Sequence, residues 1–299
     1  RINLKEIEYE FRGIKKVPKE LIEEFSKVKT QAFEYWREAR EKSDFKIFKP
    51  YLEEIVKLER KRAKYINPRK KPYEILYEEY EKGIPLKEVK KIFNEIKKEL
   101  IPFVNKIKEK EKPKDDFLKI KVDEKVQYEL SKELAAKLGF DFDFGRLDIS
   151  THPFSTNTPD IRITTRYTDG YFFTLHATAH ETGHALYEQN LPSKYFGTPL
   201  GNYRSLSIHE SQSRFWEDLI FLSYEFWKYY YPKLKKSIPR LRKVKVYDFY
   251  RVINKAEPSF IRVNADELTY PLHIILRLEI EEAIINGKLK VKDIPKEWN

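Results

Sequence analysis

A chain of 299 residues with 40% hydrophobic and 15% aromatic content is long enough to bury a large core, which excludes disordered and fibrous classes. No run of about 18 apolar residues occurs, so no transmembrane helix is expected, and Arg1 to Glu8 has no apolar signal-peptide core; a cytoplasmic location is the default expectation. The absence of cysteine excludes disulfides and thiolate ligands, and leaves histidine and carboxylate to hold any metal.

The net charge of +11 raises the possibility of a non-catalytic, basic helical protein that binds nucleic acid. Lysine and arginine are interleaved with glutamate throughout, however, and 36% charged residues with abundant Lys and Glu read as a thermophilic surface. The absence of methionine from so long a chain reads as a fragment or as methionine positions left out.

In chain order, apolar residues at helical spacing predict helices over 17–43 (Leu21, Phe25, Val28, Ala32) and over 48–65 (Tyr51, Ile55, Leu58, Ala63). Helices at 72–82 and 86–110 follow, separated at Ile84-Pro85, with Pro102 kinking or splitting the second. Residues 111–122 are a charged stretch and the expected internal connector of what is otherwise one mostly helical domain, 1–299. Asp123 to Leu138 is a further helix that Gly139 closes. Asp141 and Asp143 suggest a calcium loop, but Gly145 and His152 stand where its fifth and twelfth ligands belong. Ile161 to Thr165 is the one convincing strand, and Asp169-Gly170 the turn before the next helix.

That helix carries His180-Glu181-Thr182-Gly183-His184, an H-E-x-x-H pattern. Side chains at i and i+4 stand one above the other, so both imidazoles can reach one metal ion while Glu181 sits beside it. Four of the six histidines fall between 176 and 209. Gly183 costs about 1 kcal/mol relative to alanine in a helix interior, so it is expected to leave room for a substrate backbone. A catalytic zinc site takes three protein ligands and leaves one position for water. The third ligand is expected from His209-Glu210-Ser211-Gln212, which opens a helical run from Ser205 to Tyr231. Glu210 is the choice and His209 the runner-up; Glu188, one turn past His184, is a weaker candidate, read as a solvated charge or a supporting acceptor. A short helix over 247–257 ends at Pro258, and a long helix follows Ile261 to Tyr270 as far as Asn286-Gly287, with Asp266 and Glu267 suited to its start.

The metal would lower the pKa of its water and polarise the scissile carbonyl, with Glu181 as general base. An exopeptidase also needs a cation for the terminal carboxylate. Arg262 suits that task through its bidentate fork; Arg162 is the second possibility, and either could instead be a structural partner of Asp266 or Asp160.

Five blocks occur in order: His152-Pro153-Phe154, Asp160-Ile161-Arg162-Ile163-Thr164, His180 to His184, His209 to Gln212, and Ile261 to Glu267. In these the chain resembles the thermostable carboxypeptidase Taq family of metallocarboxypeptidases. The resemblance implies a mainly α fold, a multi-helix bundle around a deep substrate groove with a small β-sheet beside the active site, assembled as a homodimer. It implies one divalent metal ion per chain, zinc or alternatively cobalt, and removal of single C-terminal residues from peptide substrates with broad specificity. By resemblance His180, His184 and Glu210 bind the metal, Glu181 is the base and Arg262 binds the terminal carboxylate. Arg162 and His209 are further candidate substrate contacts, with Asp266 and Glu267 supporting the site from behind. The family continues into a Gly-x-x-Gln-Asp-x-His-Trp block and a further tyrosine that this chain does not reach, so both ends of the full-length chain are expected to be missing. A zinc endopeptidase or oligopeptidase, with the same metal-binding residues, is the alternative.

Overall fold

A computed structural model of the chain describes every residue except 151, 152, 168 and 169. His152 of the first block and Asp169 of the expected turn therefore lie outside the described residues. The described residues gather into two compact units, Arg1–Val104 with Pro258–Asn299, and Asn105–Glu257.

The first unit is helical. It holds α1 (Ile2–Ile14), α2 (Lys19–Lys42), α3 (Phe45–Ile66), α4 (Pro72–Tyr80) and most of α5 (Leu86–Lys108). Helix α1 was not anticipated, although Leu4, Ile7, Phe11 and Ile14 are spaced for it. α3 starts where the Asp44 side chain accepts from the amide of Lys46, capping an otherwise unpaired N–H. α5 runs unbroken through Pro102. The carbonyl that the proline leaves unpaired belongs to exposed Lys98, where solvent can satisfy it.

Helix α6 (Glu124–Leu138) opens the regular structure of the second unit, capped by Asp123 and closed by Gly139 at φ 106°, a conformation that glycine adopts without strain. The expected connector 111–122 lies inside this unit, where Asp115 and Glu257 both pair with Lys255 at 3.0 Å. Two parallel strands follow, β1 (Gly145–Ile149) and β2 (Ile161–Thr165), in register from Gly145 opposite Ile161 to Ile149 opposite Thr165. The chain between them returns along the other edge of β2, where Ser155 bridges Ile163 antiparallel.

Helix α7 (Tyr171–Gln189) comes next, then α8 (Leu206–Arg214), α9 (Tyr224–Ser237) and α10 (Val246–Ile253). The single run expected from Ser205 to Tyr231 is divided. α8 passes into a π-helical segment, Phe215–Phe221, and Ser223 then starts α9 by accepting from the amide of Phe226 at 3.1 Å. α10 stops at Ile253 rather than 257, because Asn254 turns its amide onto the carbonyls of Tyr250 and Leu222. The core of this unit joins Leu130 and Leu134 of α6, Tyr171 and Leu175 of α7, Phe221, Trp227 and Tyr231 around α9, and Phe249 of α10.

Back in the first unit, α11 (Tyr270–Ile285) and α12 (Ile294–Trp298) complete the chain. α11 packs on α3 through Val56, Ile280 and Ile284. Arg60 of α3 donates to the carbonyls of Ile284 and Ile285, so a cation meets the negative end of the α11 dipole. The architecture is mainly α with one small parallel sheet, as the sequence implies.

Candidate metal centre

Helix α7 is buried on most sides, between α6, β2 and α8, and its sequence suits that position. It buries Tyr171, Leu175, Ala179 and Ala185 with Thr174, Thr178 and Thr182, and it contains no lysine or arginine. Thr178 and Thr182 donate to the carbonyls one turn back, of Thr174 and Thr178, and Thr174 bonds Gln127 of α6 at 2.6 Å. Each of these three threonine hydroxyls thus finds a partner, as burial requires.

Where α7 meets α8 stands Gly183. A Cβ there would lie 2.6 Å from the Ser213 Cα and 2.7 Å from the Gln212 carbonyl oxygen. The glycine therefore serves a close helix crossing and not, as expected, room for a substrate backbone. That crossing brings Glu210 over the α7 histidines. Ligand atoms of His180, His184 and Glu210 lie within 4.8 Å of one another. Glu210 Oε2 stands 3.7 Å from His180 Nε2 and 3.3 Å from His184 Nε2. Two imidazoles and one carboxylate converging from two helices form a donor set that suits zinc and leaves a coordination position for water.

The other ring nitrogens explain why these atoms converge. His180 Nδ1 lies 2.6 Å from Glu217 Oε2, and a carboxylate only accepts, so Nδ1 carries a proton and Nε2 is the atom turned towards a metal. Glu217 also receives His176 Nε2 at 3.0 Å and Arg214 Nη1 at 2.9 Å. Its place in the π-helical segment sets it beside α7, whereas in the sequence it passes for one more surface glutamate on a helix. Glu217, His176 and Arg214 are the residues of this site that sequence reasoning missed; the signal available was His176 itself, one turn before the motif. His184 Nδ1 meets His209 Nδ1 at 2.7 Å, and His209 Nε2 meets Glu188 Oε1 at 2.9 Å. His209 has both ring nitrogens engaged in this way and faces the back of His184. Glu188 is buried and is no solvated charge.

Burial works against a charged His180, but the bond to Glu217 and the charges of Glu217, Glu210 and Glu181 outweigh it and raise the imidazole to about 9. His184 is lowered, mainly by burial. Burial would raise both Glu210 and Glu217, yet the histidines around them hold Glu210 down to about 2 and Glu217 lower still. In the metal-free site a proton thus occupies the position a dication takes, and metal binding must displace it.

Glu181 behaves differently. Burial pushes its carboxyl up to about 7, the neighbouring carboxylates add to this, and His180 and Ser155 oppose it. Among the described residues its Oε2 has no hydrogen-bond partner despite being buried. A carboxylate with one unpaired oxygen and a pKa near neutrality, beside three converging ligands, is suited to accept a proton from water.

Of the other expected residues, Arg162 is held by Asp160, with Nε 2.9 Å and Nη2 2.7 Å from its oxygens, which is the ion pair foreseen as an alternative. Arg262 lies in the first unit, where its Nη1 donates to Tyr270 Oη at 2.9 Å. Asp266 accepts from the amides of Leu268 and Thr269 ahead of α11, which starts at Tyr270, so Asp266 and Glu267 precede the helix instead of lying in its first turn.

A sequence model of the carboxypeptidase Taq (M32) metallopeptidase family matches residues 1–299. Carboxypeptidase 1 of Bacillus subtilis is 41% identical over 295 residues, 97% of this chain and 59% of that protein. Thermostable carboxypeptidase 1 of Pyrococcus furiosus is 40% identical over 289 residues, 94% of this chain and 58% of that protein. The crystal structure of the M32 carboxypeptidase from Deinococcus radiodurans superposes with a TM-score of 0.91 at 36% identity, covering 97% of this chain and 59% of that one. The chain thus spans about three fifths of the length of the relatives it matches.

Proposed function

The chain belongs to the carboxypeptidase Taq (M32) metallopeptidase family, and on that premise we propose that it hydrolyses the C-terminal peptide bond of peptides with broad specificity. The observation that carries this reading is the convergence of His180, His184 and Glu210 beside a buried Glu181 with an oxygen unpaired among the described residues. His180, His184 and Glu210 would hold one divalent ion, zinc or alternatively cobalt, and with it bound the site would gain Lewis acidity towards the scissile carbonyl and a more acidic water.

The protein's own residues do the rest. Glu181 takes the proton from the attacking water and returns it to the departing amine. Glu217 keeps the His180 ring oriented through Nδ1. Arg262 receives the substrate's terminal carboxylate, for which a guanidinium fork is matched. The charge-rich composition and the family resemblance support a cytoplasmic homodimer of thermophilic character.

The test is release of the terminal residue from a blocked dipeptide and from its C-terminally amidated counterpart, before and after metal is stripped and restored. Metal-dependent cleavage confined to the free carboxylate is the expected result. Equal cleavage of the amidated peptide would make the protein an endopeptidase, and no cleavage of either would defeat the proposal.

A further inference from the structure

Behind His184 a chain of buried polar groups runs away from the metal centre, and nothing in the hydrolytic mechanism uses it. We propose that Glu188 and His209 form a positioning pair that dictates which ring nitrogen of His184 is presented to the metal. The proposal rests on the reading of His180, His184 and Glu210 as the metal ligands.

Thr158 sets the order of the protons. Its backbone amide is 3.0 Å from Glu188 Oε2, and a backbone N–H is a donor under all conditions. The oxygen at that position must therefore accept. The threonine hydroxyl reaches the same oxygen at 2.9 Å. The other carboxylate oxygen, Oε1, lies 2.9 Å from His209 Nε2 and also only accepts, so His209 carries its proton on Nε2. In the neutral ring its Nδ1 is then a bare lone pair. At 2.7 Å stands His184 Nδ1, and two ring nitrogens approach so closely only if one donates and the other accepts. The donor is His184 Nδ1, which leaves His184 Nε2 bare and facing Glu210 at 3.3 Å, where the metal binds.

Two tyrosine rings keep this geometry in place. The Tyr187 and Tyr203 rings meet His209 edge-on, at 5.2 and 5.1 Å between centroids, and His209 and Glu188 are both buried. Neither residue touches the substrate or the metal; the pair acts through His184 alone. It differs from the Glu217 contact to His180, where the carboxylate bonds the ligand directly. Here one more imidazole lies between, so the proton order can be inverted by a single isosteric change.

Glu188→Gln is that change. The amide must turn its oxygen to Thr158 N–H, which places its NH2 against His209 Nε2. His209 then holds its proton on Nδ1 and donates it to His184 Nδ1, and His184 is left with its proton on Nε2, the atom the metal needs. Shape and volume are preserved, so a merely structural Glu188 would tolerate the substitution with metal binding intact.

The experiment uses the intact protein labelled with 15N-histidine and stripped of metal, and reads the protonation of each ring nitrogen by NMR. In wild type, His184 is expected to be protonated at Nδ1 and bare at Nε2, with His209 reversed. In Glu188→Gln both assignments exchange, and zinc affinity, measured by competition with a chromophoric chelator, falls about ten- to a hundredfold. The proposal is overturned if wild-type His184 carries its proton on Nε2, or if Glu188→Gln folds and binds zinc as wild type does. Should the variant fail to fold, the wild-type spectrum decides alone. A wild-type protein that binds no zinc defeats the metal-centre reading itself, while the spectrum still decides the proton order.

Discussion

Glu217→Ala is the most demanding perturbation of this site. The carboxylate is 4% exposed and accepts from His176, His180 and Arg214. A hydrogen bond to a charged partner contributes about 1.5–3 kcal/mol and a neutral one about 1 kcal/mol. Arg214 keeps Asp218 at 2.8 Å, so truncation does not strand the guanidinium. The net cost is then about 3–5 kcal/mol, the range for breaking one side of a buried ionic group. At about 2–4 °C per kcal/mol for a unit of this size, the melting temperature falls by about 6–20 °C. Without Oε2 to hold Nδ1–H, His180 loses its fixed orientation and zinc affinity falls at least about tenfold. Thermal melts of the metal-free protein and chelator competition measure the two effects separately. An unchanged melt together with unchanged zinc affinity would refute the idea that Glu217 organises the ligand.

Gly183→Ala forces its Cβ into the α8 backbone and costs about 1–3 kcal/mol of overpacking, with weakened zinc binding because Glu210 is carried on α8; a variant that melts and binds zinc like wild type would contradict the crossing described here. Zinc affinity depends on pH through His180: its proton must leave, so apparent affinity rises about tenfold per pH unit below about 9 and then levels, and a flat titration below that value would be inconsistent with this. Glu181→Gln lowers kcat about 10²- to 10⁴-fold while zinc still binds. In the metal-free protein the same variant is stabilised at alkaline pH. A carboxyl raised to about 7 binds more protons folded than unfolded, so its ionisation erodes stability as pH rises through that value, and glutamine removes the loss; a lower melt at pH 8 would count against the assigned shift.

The parts of this site legible in the sequence are those fixed by local geometry. His180 and His184 are one helical turn apart, and Glu210 sits in a short motif at the start of the next helix, so the cluster could be assembled on paper. The supporting groups could not. Glu188 follows His184 at i+4 in a helix and looks like solvent-facing charge until the fold buries it under Thr158 and His209. Glu217 depends on a π-helical segment, which shifts the face a residue presents and has no simple sequence signature. The break at Ser223 was hidden for a related reason: apolar residues continue through Phe221, Leu222 and Trp227, so hydrophobic periodicity alone reads one helix. β1 has one buried apolar residue, Leu147, in a five-residue strand, and its pairing with β2 is a tertiary fact. Arg162 illustrates the opposite case, since the neighbouring Asp160 already offered the partner that the structure gives it.

The position of a bound metal tests the assigned ligands most directly. Crystals of the protein grown with zinc and measured on both sides of the zinc absorption edge should show one anomalous peak, about 2.0–2.2 Å from His180 Nε2, His184 Nε2 and a Glu210 oxygen. A peak ligated instead through His209 or Glu188, or no peak between α7 and α8, would contradict that assignment.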